Sequence, residues 1–182
     1  MLALVIFVFC VVVALGTGVL AGLSDLRGLV IPNVHHLLVA GSFVLAYMAI
    51  YFSGSEVMGS LPTHIGAGVG TLVITFVLYS LRLLGGGDSK LMSAYALWVG
   101  TQGLLAMLFY MGIAGVVLGL SAILIRKRKP FKNPKEGSWI ARLQAGENAV
   151  PYGIPIVIGA FVAFFQNGYL DPATLMSFVS GL

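Results

Sequence analysis

The chain has 182 residues, of which 59% are hydrophobic and only 9% are charged, and its mean hydropathy is +1.02. A soluble domain usually carries about a quarter charged residues, so this composition excludes an ordinary water-soluble globule and favours an integral membrane protein. The single cysteine, Cys10, excludes an internal disulfide and a cysteine-based zinc module. No nucleic-acid partner is expected, although the formal net charge is +4.

Apolar runs of membrane-spanning character predict an all-α bundle of about six transmembrane helices. Six spans of roughly 20 residues would use about 120 residues, so we expect a single membrane domain over residues 1–182. A turn at residues 100–103 separates the fourth run from the fifth, and the segment after Asp171 is too short to span by itself. The runs are residues 1–23, 37–52, 65–84, 91–99, 104–125 and 151–165.

The positive charges predict the orientation of these helices. Lys and Arg accumulate in short loops on the cytoplasmic side of a membrane. If the spans alternate from an outside N-terminus, all ten positive residues fall on the inner side, seven of them in the loop 126–148. Both termini are therefore predicted to lie outside. The loop 126–148 is expected to rest on anionic lipids of the inner leaflet.

Two aspartates stand apart from the other acidic residues. Asp25 ends the first predicted helix and Asp88 begins the fourth, so the topology brings both carboxylates to the inner face. The 12 residues from Asp88 to Gly100 span about 18 Å, less than the roughly 30 Å hydrocarbon layer. Asp88 should therefore lie below the membrane surface, where ionisable groups tend to mark functional sites. A simpler interpretation makes Asp88 only the N-cap of the fourth helix.

Two carboxylates that face each other in a partly desolvated site cannot both ionise easily, so one retains a proton. Such a pair can activate a water molecule and protonate a departing amine, which is general acid/base hydrolysis of a peptide bond. The sequence contains no HExxH, nucleophile elbow, P-loop or CxxC motif. The aspartate pair is therefore the best candidate for catalysis.

Three motifs carry a resemblance to a known family. Asp25 is followed by Ile31-Pro32-Asn33, then Gly85-Gly86-Gly87-Asp88-Ser89-Lys90-Leu91 opens a later helix, and Val150-Pro151-Tyr152-Gly153-Ile154-Pro155 opens the last. In this order the motifs resemble the type IV prepilin peptidase family. The similarity is greatest to its short members, those of Flp and tight-adherence pilus systems and the archaeal preflagellin peptidases. It extends over about residues 20–161.

The resemblance implies a membrane aspartic endopeptidase that removes the basic leader from a prepilin or pseudopilin-like precursor at the cytoplasmic membrane face. Asp25 and Asp88 match the catalytic pair, and no cofactor or metal is expected. The cysteine-rich zinc-binding insertion of longer relatives, which also methylate the new N-terminus, is absent, so methylation is not expected. Residues expected to support the site are Pro32, Asn33, Gly85, Gly87, Lys90, Pro151 and Gly153.

Within that set, two side chains have more specific expectations. Lys90 could stabilise the ionised aspartates or serve as a topology and lipid anchor. Asn33 is expected to form a hydrogen bond near Asp25. Elsewhere, His35 and His36 are expected to be snorkelling or solvated residues at the inner interface. Aromatic residues in the outer half are predicted to be interfacial anchors. These aromatic residues are Tyr95, Trp98, Tyr110 and Tyr169.

Other functional classes remain open at this point. Paired aspartates could bind a cation or relay protons in a small ion or proton-coupled carrier. The chain could also be a non-enzymatic pilus-assembly subunit in which the acids serve only as caps. Presenilin-like proteases share the GxGD sequence but cut inside the bilayer, whereas here both acids are predicted near the inner boundary.

Overall fold

A computed structural model of the chain describes residues 1–148 and 150–180. This part of the chain is helical and contains no strand, which confirms the predicted all-α membrane bundle. The helices are α1 (Leu2–Gly28), α2 (Asn33–Ser53), α3 (Leu61–Ser80), α4 (Gly86–Arg128), α5 (Trp139–Gln144), α6 (Gly153–Gln166) and α7 (Pro172–Ser180).

Four helices, α1 to α4, are long and apolar enough to cross a membrane, and α6 is a shorter apolar helix. Their outer surfaces carry many exposed large apolar side chains, such as Val12, Phe76 and Val116. An apolar surface of this extent is unusual for a soluble monomer and is suited to contact with lipid. The chain is therefore a multi-pass membrane protein.

The 43-residue helix α4 reverses direction at Gly100, where the backbone is not helical (φ 62°, ψ −175°). A straight helix of this length would separate its ends by about 65 Å. Instead, Asn148 accepts a hydrogen bond from Arg126 near the end of α4 and lines the same cavity as Gly85, which precedes its start. The helix thus forms two antiparallel arms, residues 86–99 and 101–128. With α1, α2, α3 and α6, these arms make the six apolar segments that the sequence predicts.

Side chains from other segments form hydrogen bonds with the backbone carbonyl groups just before this break. A break in a helix frees the last carbonyls from their usual partners four residues later. Here Asn167 Nδ2 donates to the Val99 oxygen at 2.9 Å, and the Tyr169 hydroxyl donates to the Trp98 oxygen at 2.9 Å. His64 Nδ1 lies 2.7 Å from the oxygen of Leu97. These contacts hold the first arm of α4 against α3 and against the end of α6.

The core contains the aromatic residues that the sequence placed at the membrane interface. Tyr95, Trp98 and Tyr169 are almost fully buried, so their prediction as interfacial anchors is wrong, and Tyr110 is half-buried. Each buried polar tip is satisfied by a backbone carbonyl, as aromatic residues with a polar handle require. Tyr95 donates to the oxygen of Ala14 at 2.8 Å, and Trp98 to that of Val39 at 2.9 Å.

Several helix boundaries differ from the predicted runs. α2 begins at Asn33, directly after Pro32, because the polar residues before position 37 are compatible with a helix. α3 starts at Leu61 with a proline in its first turn and ends at Ser80, before Arg82 adopts a left-handed conformation. The predicted turn at residues 100–103 is confined to Gly100. The predicted loop 126–148 is helical up to Arg128 and again in α5.

Positive side chains from distant segments meet at one end of the bundle. Arg27, in the last turn of α1, shares a groove with Lys135 of the loop before α5. Arg82 and Arg142 line one cavity with the start of α4. We refer to this end of the bundle as the basic end. The Gly100 break, with His64 and Asn167, lies at the opposite end.

Replacing Gly100 by alanine should destabilise the fold. The backbone conformation at Gly100 is essentially restricted to glycine, and an added Cβ would lie 3.1 Å from the His64 ring. We expect a loss of about 1 to 3 kcal/mol, seen as a lower thermal unfolding midpoint in detergent. Gly112→Ala, in the same helix but with open space around it, should not lower the midpoint. Equal midpoints for Gly100→Ala and the wild type would contradict this account of the reversal.

Candidate active site

Asp25 lies in the last turn of α1 and is 5% exposed. The helix ends at Leu29, which adopts a left-handed conformation and donates its N–H to the Asp25 carbonyl at 2.8 Å. Ser24 Oγ closes the following turn by donating to the Val30 oxygen at 2.8 Å. The backbone of Asp25 is therefore fixed on both sides by the connection between α1 and α2.

The carboxylate of Asp25 accepts a hydrogen bond from the first residue of α6. Gly153 N lies 2.7 Å from Asp25 Oδ2. The first N–H groups of a helix lack intrahelical partners, and its dipole favours a negative charge at this end. A Cβ at position 153 would lie 3.0 Å from Asp25 Oδ2 and 3.2 Å from Asp25 Cβ. Glycine is therefore the residue that lets α6 approach this closely.

Asp88 lies in the first turn of α4, but the N-cap of that helix is Gly85 and no side chain caps it. Asp88 is therefore not the N-cap residue itself. Its carboxylate faces back toward the backbone N–H of Gly85, which is a capping contact of the kind that an acidic residue at the third helical position makes. Oδ1 of Asp88 is buried and has no hydrogen-bond partner among the described residues. A buried polar atom left unpaired in this way calls for an explanation, and a functional role is one.

Ile31 joins the two acidic sites. This buried residue lies 3.1 Å from the position that a Cβ on Gly87 would occupy, and its Cδ1 lies 3.2 Å from the corresponding position on Gly153. The starts of α4 and α6 therefore pack on the same side chain. As a result Asp25 and Asp88 lie close enough to interact electrostatically. The three sequence motifs meet at one place in the bundle.

The remaining predicted supporting residues lie around this centre. Pro32 is the N-cap of α2, and Pro151 is fully buried just before α6. Lys90 is exposed, and its Nζ donates to Asn33 Oδ1 at 3.1 Å. The expected hydrogen bond of Asn33 near Asp25 is thus replaced by this link between α2 and α4. Lys90 is directed to the Asn33 amide, so its charge is used to join two helices.

A cavity of about 890 Å³ lies beside Asp88 at the basic end. Its lining combines apolar side chains with Tyr79, Tyr152 and the charged residues Arg82, Arg142 and Glu147. Glu147 forms an ion pair with Arg142 at 2.7 Å, and both side chains are about half exposed. α5 and the segment that follows it therefore supply one wall of the cavity. Nothing in the sequence indicated this wall, because Arg142 and Glu147 belong to no motif.

His35 and His36 lie at the start of α2, close to Lys90. Their predicted solvation is wrong for His36, which is 8% exposed, and the Nδ1 atoms of both residues are buried without a partner in the described part of the chain. Helix packing at the start of α2 buries them. Among the described residues, no group of three His, Cys, Asp or Glu side chains is arranged to hold a metal ion.

Comparison with known proteins adds one match. The model of the type IV leader peptidase family matches residues 4–120. This range contains both aspartates and the first two motifs, whereas the motif at residues 150–155 lies beyond it. No curated protein and no solved structure matches the chain.

Proposed function

The chain belongs to the type IV leader peptidase family, and on that premise we propose that it is an aspartic endopeptidase that uses Asp25 and Asp88 as its catalytic pair. Its proposed substrate is a prepilin or pseudopilin-like precursor, from which it removes the basic leader. The observation that carries this proposal is the proximity of a buried carboxylate, Asp25, and a half-buried one, Asp88, at the starts of α6 and α4 and beside a cavity.

The proposed reaction needs one ionised and one protonated carboxylate. Two neighbouring carboxylates in a poorly solvated site favour this state, because a second negative charge there is strongly disfavoured. The ionised group accepts a proton from water as the water oxygen attacks the peptide carbonyl carbon. The C–N bond then breaks, and the departing nitrogen takes a proton from the pair. The protonated carboxylate donates its proton to the carbonyl oxygen as the water attacks, and it regains a proton from a hydroxyl of the tetrahedral intermediate as the C–N bond breaks. Each carboxylate thereby acts once as an acid and once as a base.

The position of the cavity supports cleavage at the membrane boundary. Asp88 lines the cavity together with charged residues of the basic end, namely Arg82, Arg142 and Glu147. A precursor would therefore need to expose its scissile bond only at this boundary. This arrangement favours a leader peptidase over a presenilin-like protease that cuts within the bilayer. The family match favours a peptidase of either kind over a carrier or a non-enzymatic assembly subunit.

We place the basic end at the cytoplasmic face of the cell membrane, with both termini outside. The positive-inside tendency supports this orientation, since the positive residues gather at that end. Anionic lipids of the inner leaflet are then the expected neighbours of the loop before α5. The leader would be cut on the cytoplasmic side.

Replacing either aspartate by asparagine should abolish cleavage. Asp25→Asn and Asp88→Asn keep the side-chain shape but remove a titrating carboxyl group. With purified protein in detergent and a tagged prepilin, each variant should lose about three orders of magnitude or more in cleavage rate. Residues that act as a unit give non-additive losses, so the double variant should be little slower than either single one. Mass spectrometry of the wild-type product should show loss of the leader and a free, unmethylated N-terminal amine.

The control for these variants is Asp171→Asn, which changes an acidic residue outside the site and should leave cleavage unchanged. Thermal unfolding of every variant checks that the fold is retained. If Asp25→Asn cleaved at nearly the wild-type rate while Asp88→Asn did not, the shared mechanism would be wrong. If both cleaved normally, a carrier or an assembly subunit would become the better proposal.

Cysteine labelling tests the proposed orientation. Glu136→Cys places a thiol on the exposed loop before α5, and Glu56→Cys places one on the exposed connection between α2 and α3. In intact cells, a membrane-impermeant maleimide should label Glu56→Cys but should label Glu136→Cys only after the membrane is opened. The wild-type chain is the control, since its only thiol, Cys10, is buried. Labelling of Glu136→Cys in intact cells would reverse the orientation.

A further inference from the structure

A second concave surface lies at the basic end, between the last turn of α1 and the segment that leads into α5. Its volume is about 380 Å³, and it shares no lining residue with the cavity beside Asp88. Arg27 contributes from α1 and Lys135 from the loop, while Phe131 and Trp139 supply aromatic surface. We call this surface the α1–α5 groove.

The charge of the α1–α5 groove is entirely positive. No acidic side chain lines it, and within the described residues neither Arg27 nor Lys135 takes part in an ion pair. Both side chains are exposed, and the acids nearest to them in the sequence, Asp25 and Glu136, are not part of the groove lining. Two unpaired cations around one concavity suit a phosphate group.

An apolar stripe leads from this groove along α1. Leu23 lies four residues before Arg27, and Leu20 lies three residues before Leu23, so all three share one face of the helix. Leu23 is 41% exposed and Leu20 is 57% exposed. One turn further, Gly16 has open space around it. The stripe therefore continues from the cationic groove into the membrane-spanning part of α1.

From these features we propose that the α1–α5 groove binds the headgroup of an anionic phospholipid. The phosphate lies between Arg27 and Lys135, and an acyl chain follows Leu23 and Leu20 along α1. Trp139 is an amphipathic side chain of the kind that is enriched at the headgroup level. The same two cations repel a basic leader, so the charge favours a lipid over the proposed substrate. This binding site is independent of the proposed peptidase reaction.

Lipid retention by the purified protein tests the proposal. The protein is exchanged into nanodiscs that contain a minor fraction of phosphatidylglycerol in phosphatidylcholine, and the lipid that remains bound after detergent extraction is measured by native mass spectrometry. Arg27→Gln/Lys135→Gln should lower the retained phosphatidylglycerol by about tenfold, because each cation near the surface contributes to anionic-lipid binding. The matched pair Lys127→Gln/Lys132→Gln removes the same charge outside the groove and should retain the wild-type amount.

Two further measurements distinguish a lipid site in the α1–α5 groove from a site for free anions and from lipid bound elsewhere. Excess inorganic phosphate should not displace the lipid, because the acyl chain contributes to binding; displacement would indicate a site for free anions and would contradict the proposal. A photoreactive phosphatidylglycerol bound to the wild-type protein should label residues 20–27 and 131–140. Equal losses in both variant pairs, or labelling confined to other segments, would overturn it. These lipid-binding experiments contain no precursor, so their outcome does not depend on whether the chain has the proposed peptidase activity.

Discussion

The hydrogen bond from the Gly153 N–H to the Asp25 carboxylate connects α1 and α6 at the centre of the candidate site. It depends on the close approach of α6, which only a residue without a side chain permits. The Ile31 side chain, which contacts Gly153, also contacts Gly87 at the start of α4. Asp88 is thereby held near Asp25. The geometry of the carboxylate pair thus rests on glycines at two helix starts.

The same end of the bundle combines two kinds of charge. Asp25 is buried and Asp88 is half-buried, whereas most of the positive side chains around them are exposed or line surface cavities. Burial lowers the solvation of the acids and makes them sensitive to each other. Exposure leaves the cations free to contact anionic lipid headgroups. Positive residues can therefore orient the protein in the membrane without neutralising the acidic pair.

The sequence was sufficient to predict the helical class, the six apolar segments and the common location of the three motifs, because length, hydropathy and charge are additive along a chain. It failed where the outcome depended on which side chains meet. Trp98 appeared to be an interfacial residue, yet its ring lies in the core and donates to Val39. Asn33 pairs with Lys90 across helices that are distant in sequence. The cavity wall with Arg142 and Glu147 could not be predicted for the same reason, because it depends on contacts between distant segments and not on a local sequence pattern.

The central claim is that Asp25 and Asp88 form one acid/base unit, and the dependence of kcat/KM on pH tests it most directly. A pair that shares one proton predicts a bell-shaped profile, because activity falls when the ionised carboxylate takes up a proton and again when the protonated one loses its own. Both limbs belong to the pair. A rate that rises to a plateau with increasing pH, without a second limb, would contradict the account, because a single ionised carboxylate would then be sufficient.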